Sequence, residues 1–324
     1  MDKRKLLLLV VMLITTVSYG QNAKKQIDKL HLPWMHFIWE GDSLAGRYFD
    51  KAGISIPIKI DDLPYDFTAQ LDLGAVHTVL YGNSLAPYLK MFPALEKKLD
   101  TTLIQGYVGY DACRIFQHIN LYLDKVPFKD IPVGHYTDFG DSISMDSAKT
   151  NTPKHIGTIA PDLFQGKILI IDYPSQRLCV LDTIPGILQG KADFVNFKIR
   201  KGRIKIPFVI GSVEKDLLFD TGSSLFSIFT SKDNSVFFTA PAMPIVDSIV
   251  GNQWKQTFKV YGQKITKDIK FGNHKMKSSL VYSLDDKGQK QFEDEENIIG
   301  IAGNIYFLDR IVIIDYQNNK IGIL

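Results

Sequence analysis

The chain presents one set of landmarks twice. Asp216-Leu217-Leu218-Phe219-Asp220-Thr221-Gly222-Ser223-Ser224 lies beyond the midpoint, and Thr68-Ala69-Gln70-Leu71-Asp72-Leu73-Gly74-Ala75-Val76 lies upstream. Each is an apolar, strand-like run ending in Asp-x-Gly and a small residue. The glycine allows a tight loop that a side chain would block, so each aspartate is expected at a loop tip. Gly53-Ile54-Ser55-Ile56-Pro57-Ile58 precedes the first aspartate, and Gly202-Arg203-Ile204-Lys205-Ile206-Pro207-Phe208 precedes the second. Downstream, Ile156-Gly157 is followed by Ile170-Ile171-Asp172-Tyr173, and Ile299-Gly300 by Ile313-Ile314-Asp315-Tyr316. The step from that glycine to the later aspartate is 15 residues in both copies, and the step from loop aspartate to glycine is 85 and 80. Such spacing points to one ancestral lobe present twice, about 145 residues apart.

Between the landmarks both copies read as β. Arg114 to Leu123 alternates loosely and breaks at Asp124-Lys125, and Lys267 to His274 contains a Gly272-Asn273 turn. Long stretches of helical period are scarce. The expected fold is therefore all-β, with two homologous lobes related by a pseudo-twofold axis. Residues 137–155 read as an insertion loop of the first lobe, and 182–192 as the linker. The division is 46–184 for the N-terminal lobe and 185–324 for the C-terminal lobe, each long enough for its own core.

Residues 1–20 stand outside this plan. A cationic start at Asp2-Lys3-Arg4-Lys5 leads into the apolar run Leu6–Val17 and then Ser18-Tyr19-Gly20. That is the order of a secretory signal peptide, with cleavage expected after Gly20. The run is shorter than the about 20 apolar residues that span a bilayer, so no stable membrane anchor is expected once the signal is removed. Export to a periplasm or the medium would place Cys113 and Cys179 where they could pair. Residues 21–45 form an N-terminal extension. A role as inhibitory pro-segment, with Lys24, Lys25 and Lys29 neutralising acids, is less favoured than a strand joining the sheet. With 38 Lys+Arg against 35 Asp+Glu, the net charge of +3 gives no basic surface for nucleic acid.

Two lobes that each present one carboxylate suggest a facing pair. Carboxylates about 3 Å apart cannot both ionise, so one retains its proton and the two titrate as a unit. The ionised member can take a proton from water while the other hydrogen-bonds a substrate carbonyl. Asp-Thr-Gly-Ser-Ser at 220–224, Asp-x-Gly-Ala at 72–75 and the apolar-apolar-Gly at 298–300 together resemble the pepsin-like and retropepsin-like aspartic proteases. The resemblance covers roughly residues 50–324. It implies a cleft between the lobes, an extended peptide or protein substrate, a β-hairpin flap, a monomer and no cofactor or metal. Asp72 and Asp220 would be the catalytic pair, with Gly74, Ala75, Thr221, Gly222 and Ser223 as supporting loop residues. Ile156-Gly157 and Ile299-Gly300 would pack beneath the loops. The flap would be Gln105-Gly106-Tyr107-Val108-Gly109-Tyr110, with Tyr107 or Tyr110 covering the cleft.

One position departs from the family. The residue after the aspartate is usually Thr or Ser, whose hydroxyl bonds across to the opposite loop. Thr221 keeps this feature and Leu73 does not. The main expectation is an aspartic endopeptidase. The alternative is a catalytically impaired, peptide-binding module of the same shape, disarmed by Leu73. Gly41-Asp42-Ser43-Leu44 spells a serine-hydrolase motif, but no Asp-x-x-His follows Ser43, so the spelling is accidental. No His-Glu-x-x-His run or close Cys/His set offers a metal site. His77 and His155 are read as structural, Asp172 and Asp315 as turn residues, and Trp34, Phe37 and Trp39 as packing or an N-terminal strand.

Overall fold

A computed structural model describes residues 27–108, 111–253, 256–277 and 279–324, with the backbone alone at 107, 108, 111, 252, 253, 256 and 257. The expected signal peptide, Lys24 and Lys25 lie outside the described residues. No described helix is long and apolar enough to cross a membrane.

The described residues are mostly β, in three sheets of six, nine and ten strands. The nine-stranded sheet contains the run Arg47–Ile60, Phe67–Leu71, Lys154–Ile159, Val79–Tyr81, Val126–Tyr136, Asp111–Leu123. The ten-stranded sheet contains Arg203–Ile210, Val213–Phe219, Ile301–Ala302, Ile228–Ser231, Leu280–Leu284, Gln256–Lys264. The pairings alternate antiparallel, parallel, antiparallel, parallel, antiparallel along both runs. The repeated sequence therefore folds into a repeated strand order. Phe67–Leu71 shows why: Phe67, Ala69 and Leu71 are fully buried on one face while Thr68 and Gln70 are half-exposed on the other.

The six-stranded sheet joins the halves. Ile168–Asp172 pairs antiparallel with Ile311–Asp315, placing Ile170 opposite Ile313, Ile168 opposite Asp315 and Asp172 opposite Ile311. Counted from Gly157 and Gly300, Ile170 and Ile313 are equivalent positions. The halves thus meet through the same residues on both sides, the self-complementary pattern of a twofold contact. These strands are apolar on both faces because both faces are covered. Leu169, Ile171, Val312 and Ile314 enter the main core. Ile168, Ile170, Ile311 and Ile313 pack with Ile27, Leu30, Leu32 and Trp34.

One expectation needs adjusting. The main apolar core runs through both halves, from Ile54 and Leu71 to Ile204 and Phe219, so the lobes do not have separate cores. The shared sheet is the reason, since its inner face belongs to both. The two cysteines are free thiols, buried in different sheets, Cys113 on Asp111–Leu123 and Cys179 on Arg177–Leu181. The extension joins the six-stranded sheet through Met35–His36, paired with Leu178 and Arg177. Lys29 sits exposed in this sheet-covering segment. Residues 137–155 include a short helix, Met145–Ala148, and the linker includes another, Gly186–Gln189.

Candidate active site

Each aspartate follows the last residue of a strand that lies parallel to a central strand. Phe67–Leu71 pairs with Lys154–Ile159, which on its other side pairs antiparallel with the outgoing Val79–Tyr81. Val213–Phe219, Ile301–Ala302 and Ile228–Ser231 repeat this arrangement. The Asp72 amide donates to the Ile159 carbonyl at 2.9 Å, and the Asp220 amide to the Ala302 carbonyl at 3.0 Å. Gly157 has no room for a side chain, because a Cβ would stand 2.3 Å from the Val79 carbonyl oxygen. Gly300 needs its φ of +155° and is walled by the Phe229 carbonyl oxygen at 2.9 Å from a Cβ.

The two loops then turn toward each other. A Cβ on Gly74 would stand 2.3 Å from Cγ of Asp220, and one on Gly222 would stand 2.7 Å from Cγ of Asp72. Each glycine is thus the wall against which the opposite carboxyl rests, and any larger residue would push the acids apart. Asp72 Oδ1 accepts from the amides of Gly74 at 2.9 Å and Ala75 at 3.0 Å. Asp220 Oδ1 accepts from the amides of Gly222 at 2.8 Å and Ser223 at 3.2 Å. The amides of Gly74, Ala75, Gly222 and Ser223 thus orient the two carboxyls.

Both carboxyls keep a partial opening to solvent, although protein surrounds them on nearly every side. Burial raises the Asp72 carboxyl above its ordinary range, opposed by the Asp220 hydrogen bond, the two amides and the Arg203 charge. Burial raises Asp220 well above its ordinary range, and the charge and hydrogen bond of Asp72 add to the effect. Two carboxyls in one desolvated site cannot both ionise readily, so the pair titrates as a unit with one proton held between them.

Thr221 ties the loops together. Its hydroxyl accepts from the Leu73 amide at 2.9 Å and donates to the Leu71 carbonyl at 2.7 Å. Leu73 has no hydroxyl to return the bond and is fully buried in the core. Further ties were not read from the sequence. Asp162 accepts from the Thr78 amide and hydroxyl, fixing the end of the first loop. Asn304 donates to the Thr221 carbonyl and accepts from the Tyr173 hydroxyl, fixing the second. Both lie in short 3₁₀ turns, Pro161–Phe164 and Asn304–Phe307, at matching places after Gly157 and Gly300. Following the repeat a few residues further was the available signal.

The segment expected as a flap pairs antiparallel with the strand that follows it, with Gly106 opposite Cys113 and Val108 opposite Asp111. The Tyr107 side chain, Gly109 and Tyr110 lie outside the described residues. Gln105 at the hairpin base donates to His77 Nδ1 at 2.9 Å, linking the hairpin to the first loop and giving His77 a structural partner. His155 is flanked by Tyr81 and, at 3.8 Å, by Glu40. Asp172 accepts from Arg177 and Ser175, and Asp315 from Gln317 and Asn318, as turn residues do. Ser43 is in the exposed hairpin of Ile38–Leu44 and Arg47–Ile60, with Asp42 accepting from its amide. Among the described residues no group of three His, Cys, Asp or Glu side chains could hold a metal ion.

Compared with models of protein families and with curated proteins, the sequence matches none.

Proposed function

We propose that this protein is an exported aspartic endopeptidase with two lobes of the pepsin-like or retropepsin-like type. The observation that carries this reading is the reciprocal contact in which each loop glycine faces the opposite loop's carboxyl. Two acids brought together from distant parts of the chain, desolvated and sharing one proton, suit the addition of water to an amide.

In this mechanism Asp72, the ionised member, takes a proton from a water held between the acids. The water oxygen attacks the scissile carbonyl carbon while the Asp220 proton is shared with the carbonyl oxygen. The product is a tetrahedral diol, with Asp72 now protonated and no covalent bond to the protein. Proton transfer to the amide nitrogen, and return of a diol proton to the pair, then breaks the C–N bond. The hydrogen bonds of Asp72 to the amides of Gly74 and Ala75 favour its ionised form.

The decisive experiment incubates the protein with a mixed peptide pool from acidic to neutral pH. Cleavage is expected, blocked by a statine-type inhibitor and lowered roughly 10⁴-fold or more by Asp220→Asn, as for removal of a member of a catalytic unit. Binding without cleavage at any pH would overturn the enzyme reading in favour of a peptide-binding module. Ester turnover lost in Ser43→Ala but kept in Asp220→Asn would overturn both.

A further inference from the structure

The two halves superpose their strand registers, so residues can be compared position by position. Ser55 faces Gln70 and Lys205 faces Leu218, and both partners stand two residues before their aspartate. Arg203 is therefore the counterpart of Gly53. At this place one half has a guanidinium and the other has no side chain at all.

The guanidinium crosses to the opposite half. The Lys201-Gly202 turn, with Gly202 at φ +78°, packs on Val76 of the first loop. From there Arg203 Nε donates to the Gly74 carbonyl at 2.7 Å. Its Nη1 donates to Glu296 Oε1 at 3.0 Å, and the other oxygen of Glu296 pairs with Lys205 Nζ at 2.6 Å. Glu296 and Lys205 are buried, and the Arg203 plane lies over Phe292. A fork clamped on one side by a buried carboxylate has little rotamer freedom left, so it holds the other side in place.

We propose that Arg203 is the positioning residue of the first aspartate loop, holding it by the Gly74 carbonyl where Leu73 cannot hold it by a hydroxyl. This rests on the aspartic-peptidase reading of the pair. The first loop then receives two polar ties from the opposite half. Thr221 reaches the Leu71 carbonyl and Leu73 amide, and Arg203 reaches the Gly74 carbonyl. The tie from Arg203 also brings a positive charge beside Asp72. The charged and titratable groups facing Asp72 are Asp220, Arg203 and Tyr81. Those facing Arg203 are Glu296, Lys205 and Tyr136. Arg203 adds its charge to the groups that favour ionisation of Asp72, after the Asp220 hydrogen bond and the two loop amides.

Arg203→Met removes the fork but leaves Glu296 paired with Lys205, and Arg203→Lys keeps charge without the fork. In Arg203→Met, kcat is expected to fall about tenfold or more with KM little changed, as for a misplaced catalytic group. The acid limb of the kcat/KM profile should move upward by about half a pH unit, because Asp72 has lost a favourable charge. Arg203→Lys should restore the limb and not kcat. Adding Leu73→Thr to Arg203→Met should recover part of kcat. An unmoved acid limb together with no rescue by Leu73→Thr would overturn the proposal, leaving the peptidase reading intact. Should the wild type cleave nothing, stability decides instead. Arg203→Met should then cost more with Asp72 present than in Asp72→Asn above the Asp72 titration, and equally below it. Equal costs at every pH would reduce Arg203 to a packing residue.

Discussion

The loop at Asp72–Ala75 and the loop at Asp220–Ser223 share their backbone bonds amide for amide, whereas the side chains that hold them differ. The first loop is clamped by Asp162 at Thr78 and by Arg203 at Gly74. The second is clamped by Asn304, itself oriented by the Tyr173 hydroxyl. The tyrosines show the same divergence. Tyr173 and Tyr316 are equivalent, and Asn304 is equivalent to Pro161. Tyr173 therefore finds an amide, while the position matching that amide is a proline and the buried Tyr316 hydroxyl has no partner among the described residues. Duplication supplied one backbone, and the polar ties diverged because a loop needs only that some group satisfy it.

The comparison predicts its largest effect at Thr221. Thr221→Val removes one hydroxyl and strands the Leu73 amide and the Leu71 carbonyl, at a cost of roughly 2–4 kcal/mol. Leu73→Thr, at the matching place in the other half, removes packed core atoms at a cost of roughly 2 kcal/mol but supplies a hydroxyl, so it should raise turnover where Thr221→Val lowers it. Chemical denaturation and peptide turnover of both variants check this. A fall in turnover in both would show that Leu73 is as structural as Thr221.

The halves should also differ in their response to acid. Leu80 pairs with His135 where Thr230 pairs with Ser283, so the first half buries an imidazole where the second has a hydroxyl. His135 stands against Phe116, neither ring nitrogen has a partner among the described residues, and burial pushes its pKa down to about 4. The folded state thus refuses a proton that the unfolded state takes up below pH 6.5. Stability is fully present above that pH and is lost as pH falls toward 4, by roughly 3 kcal/mol for this group. The pair has the opposite sign. Its raised pKa values mean stability falls as pH rises through them, so Asp220→Asn should be more stable than the wild type near neutral pH. Thermal unfolding from pH 4 to 8 reads both effects. A wild-type curve that His135→Phe does not flatten on the acid side would remove the first.

A smaller effect separates the tyrosines. Tyr173→Phe leaves Asn304 short of a donor and should cost about 1–2 kcal/mol. Tyr316→Phe removes a hydroxyl that satisfies nothing and should be neutral or slightly stabilising. Reversal of this order would mean that Tyr316 has a partner in solution.

The smallest effect lies in the hairpins. The tip at Ala45-Gly46 reaches the second half, where Arg47 pairs with Asp247 at 2.7 Å and Leu44 and Phe49 pack beside Phe226. The matching tip at Lys201-Gly202 stops at Val76. Because Arg47 is more than half exposed, Asp247→Asn should cost under about 1 kcal/mol, and less in high salt. A larger, salt-independent loss would make the apolar contact and not the ion pair the anchor.

Much of this was legible beforehand. The Asp-x-Gly loops, the strand-rich reading, the apolar-Gly landmarks and the supporting glycines all follow from local rules that act over a few residues. The turns at Asp124-Lys125 and Gly272-Asn273 fall where the sequence places them. Arg203, Glu296, Asp162 and Asn304 were not legible, since their partners stand roughly 80 to 130 residues away and no spacing rule connects them.

The amino-acid order by itself determined that two like halves exist and that each offers an aspartate on a glycine turn, because strand period and turn chemistry are short-range properties. Only the tertiary structure decided that the acids meet in one desolvated site and that one core serves both halves. Those depend on desolvation and on contacts between distant segments, and both arise only when the sheets close around them.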